Sequence, residues 1–398
     1  MLNTWTPCVA ALAILGAATG CSSVTGVPAA DLRPAVERDG VPFAAQSIPV
    51  EILDRLAANQ VVVVGETHLI SEHRQLVAEL VRSLHSRGFR QLLLEWPHMA
   101  DWLLSDFVED GGLEPGWAPS VALWGEMITA VRDFNRSLPE ADRVHVHAID
   151  VNLDNYGGAP SFRNMLGELA GHLADRGPIG AFLGLRYGTP DEQTSALASL
   201  RSELQVRRTD LVAAWGSHWY DVVSEMVEVE LASVGIRARR TSHYDQTARE
   251  REDVMKRLAD LRLGGYGYRT LVNVGGNHAQ KSRLKGTDLQ WLGDYLVHES
   301  RAVGGAVFVV AVTPAQILSA AGGSAESYNV MEASPENELW RVMHETWPDR
   351  IGFLPLDDPL FGTGPVLMNF EGTIYEGAPK AHYDAFVLLP VGHAVATQ

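Results

Sequence analysis

The sequence predicts an α/β protein: a mostly parallel sheet with helices on both faces and a helical insertion forming a cap. Three observations lead there. Short apolar runs recur at 61–64, 91–94, 144–149, 270–274, 306–312 and 385–389, and most are continuous rather than alternating, as in strands covered on both faces. Helix-forming segments separate them, the arrangement that makes neighbouring strands parallel. The stretch 155–245 is largely helix-forming and holds no comparable run, so it reads as an insertion over the sheet.

Taken in order, the first twenty residues differ from all that follow. The apolar stretch 9–18 is too short to span a bilayer as a mature helix and reads as the core of a signal peptide over residues 1–20. It leads into Ala18-Thr-Gly-Cys21-Ser-Ser, which resembles a bacterial lipoprotein cleavage site with Cys21 as the lipidated residue. Cys8 and Cys21 are the only cysteines, so cleavage leaves one, at the anchor, and no internal disulfide. The expected location is the cell envelope, extracytoplasmic on the periplasmic side, with the chain lipid-anchored to a membrane. Residues 21–47, with Pro28, Pro34 and Pro42 and no lasting periodicity, are expected to be a tether. The folded domain is expected over 48–398.

Within that domain, strand 61–64 precedes a helix in which Leu76, Val77, Leu80, Val81 and Leu84 recur at helical spacing. Strand 91–94 ends at Glu95, strand 144–149 at Asp150, and strand 270–274 at Gly275-Gly-Asn-His278. The first strand also stops at a Gly-x-x-His unit, Gly65-Glu-Thr-His68, but the two units share too little flanking sequence to be a duplication. A chain of 398 residues that is 46% hydrophobic and 20% charged can bury a full core and is not membrane-embedded in composition. Its net charge of −17 argues against a nucleic-acid surface.

In an open parallel sheet, ligands bind beyond the carboxyl ends of the strands. Glu66, His68, Glu95, Asp150 and His278 all fall there. Glu66 and His68 are two apart, so in an extended segment both project to one side. Two imidazoles and two or three carboxylates in a cleft are what water activation requires: a base near neutral pKa, a carboxylate to orient it and an acid for the leaving group. Asp150 reads equally as a helix cap. His145 and His147 read as satisfied histidines of a sheet, and His73, His85 and His98 as surface groups, although Glu72, His73 and Arg74 open a helix facing the cleft. Trp215, Trp219, Tyr220 and Tyr187 read as core or as walls of a pocket.

These residues also resemble a superfamily. Gly65-Glu-Thr-His68 with Ser71-Glu72, Gly88-Phe-Arg and Leu92-Leu-Leu-Glu95 are similar to the opening of the erythromycin esterase family. That family's first block is Gly-Glu-Ala-Thr-His-Gly; here the block is one residue shorter and Leu69 replaces the final glycine. The likeness continues through Trp124-Gly-Glu126, Arg132-Asp-Phe-Asn135, Asp150, Arg251-Glu252, Met255, Gly275-Gly-Asn-His278, Leu292-Gly293 and Tyr383-Asp-Ala-Phe386. The two Gly-x-x-His blocks and a Glu also resemble ChaN-type haem-binding lipoproteins and the TraB and Tiki group.

The resemblance implies a hydrolase of esters or lactones, acting on a small-molecule substrate, with no cofactor expected. His68 is then the general base, Glu66 its orienting partner, and Glu95 and His278 bind or protonate the reacting oxygen. Arg74 or Arg251 stabilises charge. A serine nucleophile is not implied, since the chain has no Gly-x-Ser-x-Gly elbow. Two alternatives stand beside this: a metalloenzyme with Zn²⁺ or Mn²⁺ on His68, His278, Glu66 and Glu95, as in the protease-like relatives, and a haem-binding lipoprotein without turnover.

Overall fold

The computed structural model describes residues 27–109, 125–153, 161–283, 288–318, 328–329, 338–363, 368–370, 373–375 and 378–395. The signal peptide and Cys21 lie outside the described residues, as do Trp124 and the first residues of the expected insertion. Among the described residues, no helix is long and apolar enough to cross a membrane.

Eight strands form one sheet: β1 (Val41–Phe43), β2 (Val61–Glu66), β3 (Phe89–Pro97), β4 (His145–Asp150), β5 (Arg269–Gly275), β6 (Val307–Pro314), β7 (Ile351–Pro355) and β8 (Ala385–Leu389). Their order is β1-β7-β8-β6-β2-β5-β3-β4. β7 runs against both its neighbours, and the remaining pairings are parallel. The pairing follows from composition: the valines of β2 are buried on both faces of the sheet, which suits parallel strands under helices. Val62, Val64, Leu92 and Leu94 pack under the helices Val50–Ala57, Ser71–His85, Asp101–Val108 and Gly125–Arg136. Val61, Val63, Leu93 and Val272 pack under Ala29–Asp39, Tyr244–Tyr266, Leu292–His298 and Glu338–Thr346.

Between β4 and Tyr244–Tyr266 the described chain runs through the helices Phe162–His172, Gly177–Gly184, Pro190–Val206, Arg208–Trp215 and Ser217–Arg239. The last contributes to both cores, Val223 and Val227 to one, Val229 and Ile236 to the other.

One expectation is corrected, and one strand has no counterpart among those expected from the sequence. The tether reading does not hold for residues 29–43: the helix Ala29–Asp39 buries Leu32, Ala35 and Val36 in the second core, and β1 closes one edge of the sheet. The apolar set of that helix is a single i, i+3, i+4 triplet, too short to register as periodicity, and Pro42 sits on an edge strand that tolerates it. β7 was not expected either, because Gly352 and Pro355 disguise it. The glycine is required where it stands, since a Cβ there would come within 2.4 Å of the Trp347 ring.

Candidate active site

Four strands that are neighbours in the sheet, β2, β5, β3 and β4, deliver their carboxyl ends to one place. Register sets the level: Glu66 pairs with Gly275, and Asn273 with Val64 and Leu94. Between Leu94 and Pro97 the pairing with β4 slips, three steps on β3 against two on β4. Glu95 lies in that irregularity, a device that re-aims side chains.

The period of an extended segment puts Glu66 and His68 on one side, and Glu66 Oε1 lies 2.9 Å from His68 Nδ1. A carboxylate opposite Nδ1 means that Nδ1 carries the proton, which makes Nε2 an acceptor in the neutral ring. The other carboxylate oxygen, Oε2, accepts from Asn273 Nδ2 at 2.9 Å and meets His73 Nε2 at 3.0 Å. His73 Nε2 is also 2.8 Å from Asn273 Oδ1; facing two acceptors, it too must donate. Burial pushes the Glu66 carboxyl up, but His73 and His68 outweigh it and hold it down at about 2. Directly after His68, Leu69 takes φ 63, the left-handed region, at the position where the family block has glycine.

Glu95 is buried, and its Oε2 accepts the Gly275 N–H at 2.6 Å. Its Oε1 accepts from Arg251 Nη2 at 2.5 Å, with His278 Nε2 at 3.4 Å and His68 Nε2 at 3.8 Å. Burial opposes ionisation, yet His278, His68 and Arg251 keep this carboxyl well below its usual range. Glu95 is therefore an anion at neutral pH and has no proton to give, which removes the proton-donor half of its expected role.

His278 is able to donate. It is buried, its Nδ1 bonds Glu252 Oε1, and its ring meets Trp291 edge-on at 5.5 Å. Burial disfavours the imidazolium, but Glu95 and Glu252 more than compensate and raise His278 to about 10. At neutral pH it is a cation held between two carboxylates.

Arg251 reaches the same carboxylate from the helix Tyr244–Tyr266. Its Nε and Nη2 form a bidentate pair with Asp150, at 2.8 and 2.7 Å. Asp150 thus positions Arg251; its Oδ1 also accepts the Val151 N–H at 2.7 Å. Arg74 is buried beside Glu66 and away from the cavity wall, and burial lowers its pKa against the pull of Glu66 and Glu126.

These groups open onto a cavity of about 220 Å³. Tyr244, Thr247, Ala248, Arg251 and Glu252 form one wall, an i, i+3, i+4, i+7, i+8 face of a single helix. Leu153, Ile236, Arg240 and Trp291 complete much of the rest. Gly275 forms the floor, where a Cβ would stand 2.7 Å from His68 Nε2 and 3.2 Å from Glu95 Oε2. His68 keeps 30% side-chain exposure while Glu66 and Glu95 are enclosed.

The structure therefore brings His68, Glu95, His278 and Arg251 to one cavity, with Glu66 behind His68. Sequence reasoning gave no role to Asn273, His73 or Glu252. His73 falls on the apolar stripe of its helix extended one turn back, with Leu76 and Val77, so its burial had a sequence signal. His98 is likewise buried, on Glu225, rather than on the surface. The aromatics went elsewhere: Trp215 Nε1 donates to Asp175 O at 2.7 Å, Tyr220 Oη to Leu204 O at 3.2 Å, and Tyr187 packs at the core edge. The metal set expected from Glu66, Glu95, His68 and His278 does not fit. Both Glu66 oxygens are taken up by His68, His73 and Asn273, a guanidinium occupies Glu95 Oε1, and among the described residues no group of three His, Cys, Asp or Glu side chains is arranged to hold a metal ion.

No protein-family model and no curated protein matches the chain. Solved structures do. A histidine-to-asparagine variant of an erythromycin esterase, in its open conformation, superposes with a TM-score of 0.66 at 15% identity, over 90% of this chain and 98% of that one. This chain has the erythromycin esterase-like fold. A Bacillus cereus protein shares that fold with a TM-score of 0.68 at 13% identity, over 94% of this chain and 100% of its own. A succinoglycan biosynthesis protein shares it with a TM-score of 0.63 at 12% identity, over 96% and 100%. In this fold the candidate site lies at the carboxyl ends of the parallel strands, where the sheet geometry directs ligands.

Proposed function

We propose that the chain is a hydrolase that cleaves an ester or lactone by direct attack of water. One observation carries the reading: His68 Nε2 and His278 Nε2 both approach one oxygen of Glu95, at 3.8 and 3.4 Å, on the wall of one cavity. Two imidazoles side by side, one backed by Glu66 to serve as base and one held charged by Glu95 and Glu252 to serve as acid, are what acyl transfer to water needs.

In this mechanism His68 Nε2 takes a proton as the water oxygen bonds to the carbonyl carbon. Glu66 fixes the Nδ1–H tautomer and stabilises the imidazolium that forms. Negative charge then develops on the carbonyl oxygen, where Arg251 and the His278 cation supply positive charge in a site partly shielded from water. As the C–O bond breaks, His278 gives its proton to the leaving alkoxide, and Glu252 and Glu95 are the anions that kept it charged. The acid product keeps the oxygen from water, and exchange with solvent takes the proton from His68 and restores the one on His278.

Leu153, Ile236 and Trp291 suit an apolar acyl or ring body, and Arg240 and Tyr244 offer polar contacts beside it. The apolar 9–18 stretch and Cys21 support an extracytoplasmic, lipid-anchored location; loss of labelled-lipid incorporation in Cys21→Ala is the expected result there. For the activity, a panel of chromogenic esters and lactones is incubated with the protein and with His68→Ala. Hydrolysis of at least one by the wild type, reduced by about 10²- to 10⁴-fold in a folded variant, supports the proposal; equal rates refute it.

A further inference from the structure

A second cavity, of about 350 Å³, shares no lining residue with the first. It lies outside the edge strand β4, among the helices Asp101–Val108, Ser217–Arg239 and the far half of Tyr244–Tyr266. Its charge is lopsided. Asp101, Asp106, Glu109, Asp221 and Glu225 line it against one guanidinium, Arg262. Arg262 Nη2 bridges Asp101 at 3.0 Å and Glu225 at 2.7 Å, and His98 Nε2 also meets Glu225 at 2.7 Å. Even so, the lining carboxylates outnumber the permanent cations.

A second, independent feature points to a ligand. His147 is only 6% exposed and lines the cavity, yet neither ring nitrogen has a hydrogen-bond partner among the described residues. Its Nδ1 stands 3.4 Å from Asp101 Oδ1, off hydrogen-bond geometry, an ion pair when the ring is protonated that helps, against burial, to hold the Asp101 carboxyl down; Nε2 has no such neighbour among the described residues. Trp102, equally 6% exposed, lines the cavity with an unpartnered Nε1. Buried polar groups are normally paired, and each exception calls for a physical reason. The walls are aromatic: Trp102 and Trp219 meet edge-on at 6.1 Å, and Tyr266 stacks on His147 at 5.7 Å.

We propose that this cavity binds a small organic ammonium ion that also carries a hydrogen-bonding oxygen. Surplus carboxylates and aromatic walls attract such a cation, and the Trp102 indole N–H donates to its oxygen. A bare divalent metal suits the site poorly, since Arg262 sits between Asp101 and Glu225 and no group of three His, Cys, Asp or Glu side chains is arranged to hold a metal ion among the described residues.

The test is calorimetric titration of the purified chain with choline and with its neutral isostere 3,3-dimethyl-1-butanol, at fixed ionic strength and without any ester. Choline is expected to saturate one site, with the isostere weaker by about tenfold or more. Asp221→Asn and Trp219→Leu, each checked for a wild-type circular dichroism spectrum, are expected to weaken choline by about fivefold. Equal binding of choline and isostere, absence of saturation, or unchanged affinity in both variants overturns the proposal. So does a Zn²⁺ titration that fills one tight site and is abolished by His147→Gln.

Discussion

His278 and Glu252 are bonded, Nδ1 to Oε1, inside the protein, with Glu95 on the opposite side of the same imidazole. Glu252 follows Arg251 on one helical turn, so a single helix both charges the histidine and delivers the guanidinium.

That relationship predicts the alkaline behaviour. His278 is raised from an ordinary 6.5 to about 10, so its contribution to stability is complete below about 6.5 and is lost as pH rises through about 10. The alkaline limb of the rate profile is expected near the same value. In Glu252→Gln one of the two anions is gone, and the limb should move to lower pH by about one unit or more. A pH–rate profile from 6 to about 11 checks this; an unmoved limb assigns it to another group.

Gly275 is expected to be irreplaceable for turnover. The Cβ of Gly275→Ala would stand 2.7 Å from His68 Nε2, forcing the ring out of line. A displacement of that size costs on the order of 10²-fold in kcat/KM. The variant's melting curve should show whether the loss is local; a variant with wild-type kinetics would show that the ring does not need its place.

Leu69 at φ 63 pays a left-handed backbone cost that glycine escapes. Leu69→Gly is expected to raise stability by about 0.5 kcal/mol, the relief of about 1–2 kcal/mol of left-handed strain being offset by the partial burial of a side chain 37% exposed and by the greater freedom of glycine in the unfolded chain. Urea denaturation of the two proteins decides it, and destabilisation would mean that Leu69 makes a contact worth more than its strain.

Treatment with EDTA or phenanthroline is expected to leave hydrolysis unchanged, since Arg251 occupies the Glu95 oxygen a metal would need. Loss of activity restored by Zn²⁺ or Mn²⁺ would contradict the arrangement derived for the site.

Much of this was legible in the sequence, for identifiable reasons. Continuous valine and leucine runs announce strands covered on both faces, and the ligand rule for parallel sheets then marks Glu66, His68, Glu95 and His278 by position alone. What escaped lacked such signals. β7 is broken by Gly352 and Pro355, and Ala29–Asp39 buries only three residues. Glu252 looked like one charge among many on a polar helix, and its meaning depends on His278, 26 residues away. Protonation states were out of reach as well, because the cation on His278 and the anion on Glu95 arise from mutual placement in a buried space.

The proposed mechanism requires Glu66 to act through His68 as one unit. A double-mutant cycle on kcat/KM reads this out, with His68→Ala, Glu66→Gln and the pair, all shown to be folded by circular dichroism. If they form a unit, Glu66→Gln lowers the rate, His68→Ala lowers it by about 10²- to 10⁴-fold, and the double variant is no slower than His68→Ala. Fully additive losses, or a His68→Ala protein as active as the wild type, would mean that the two residues do not form a catalytic unit.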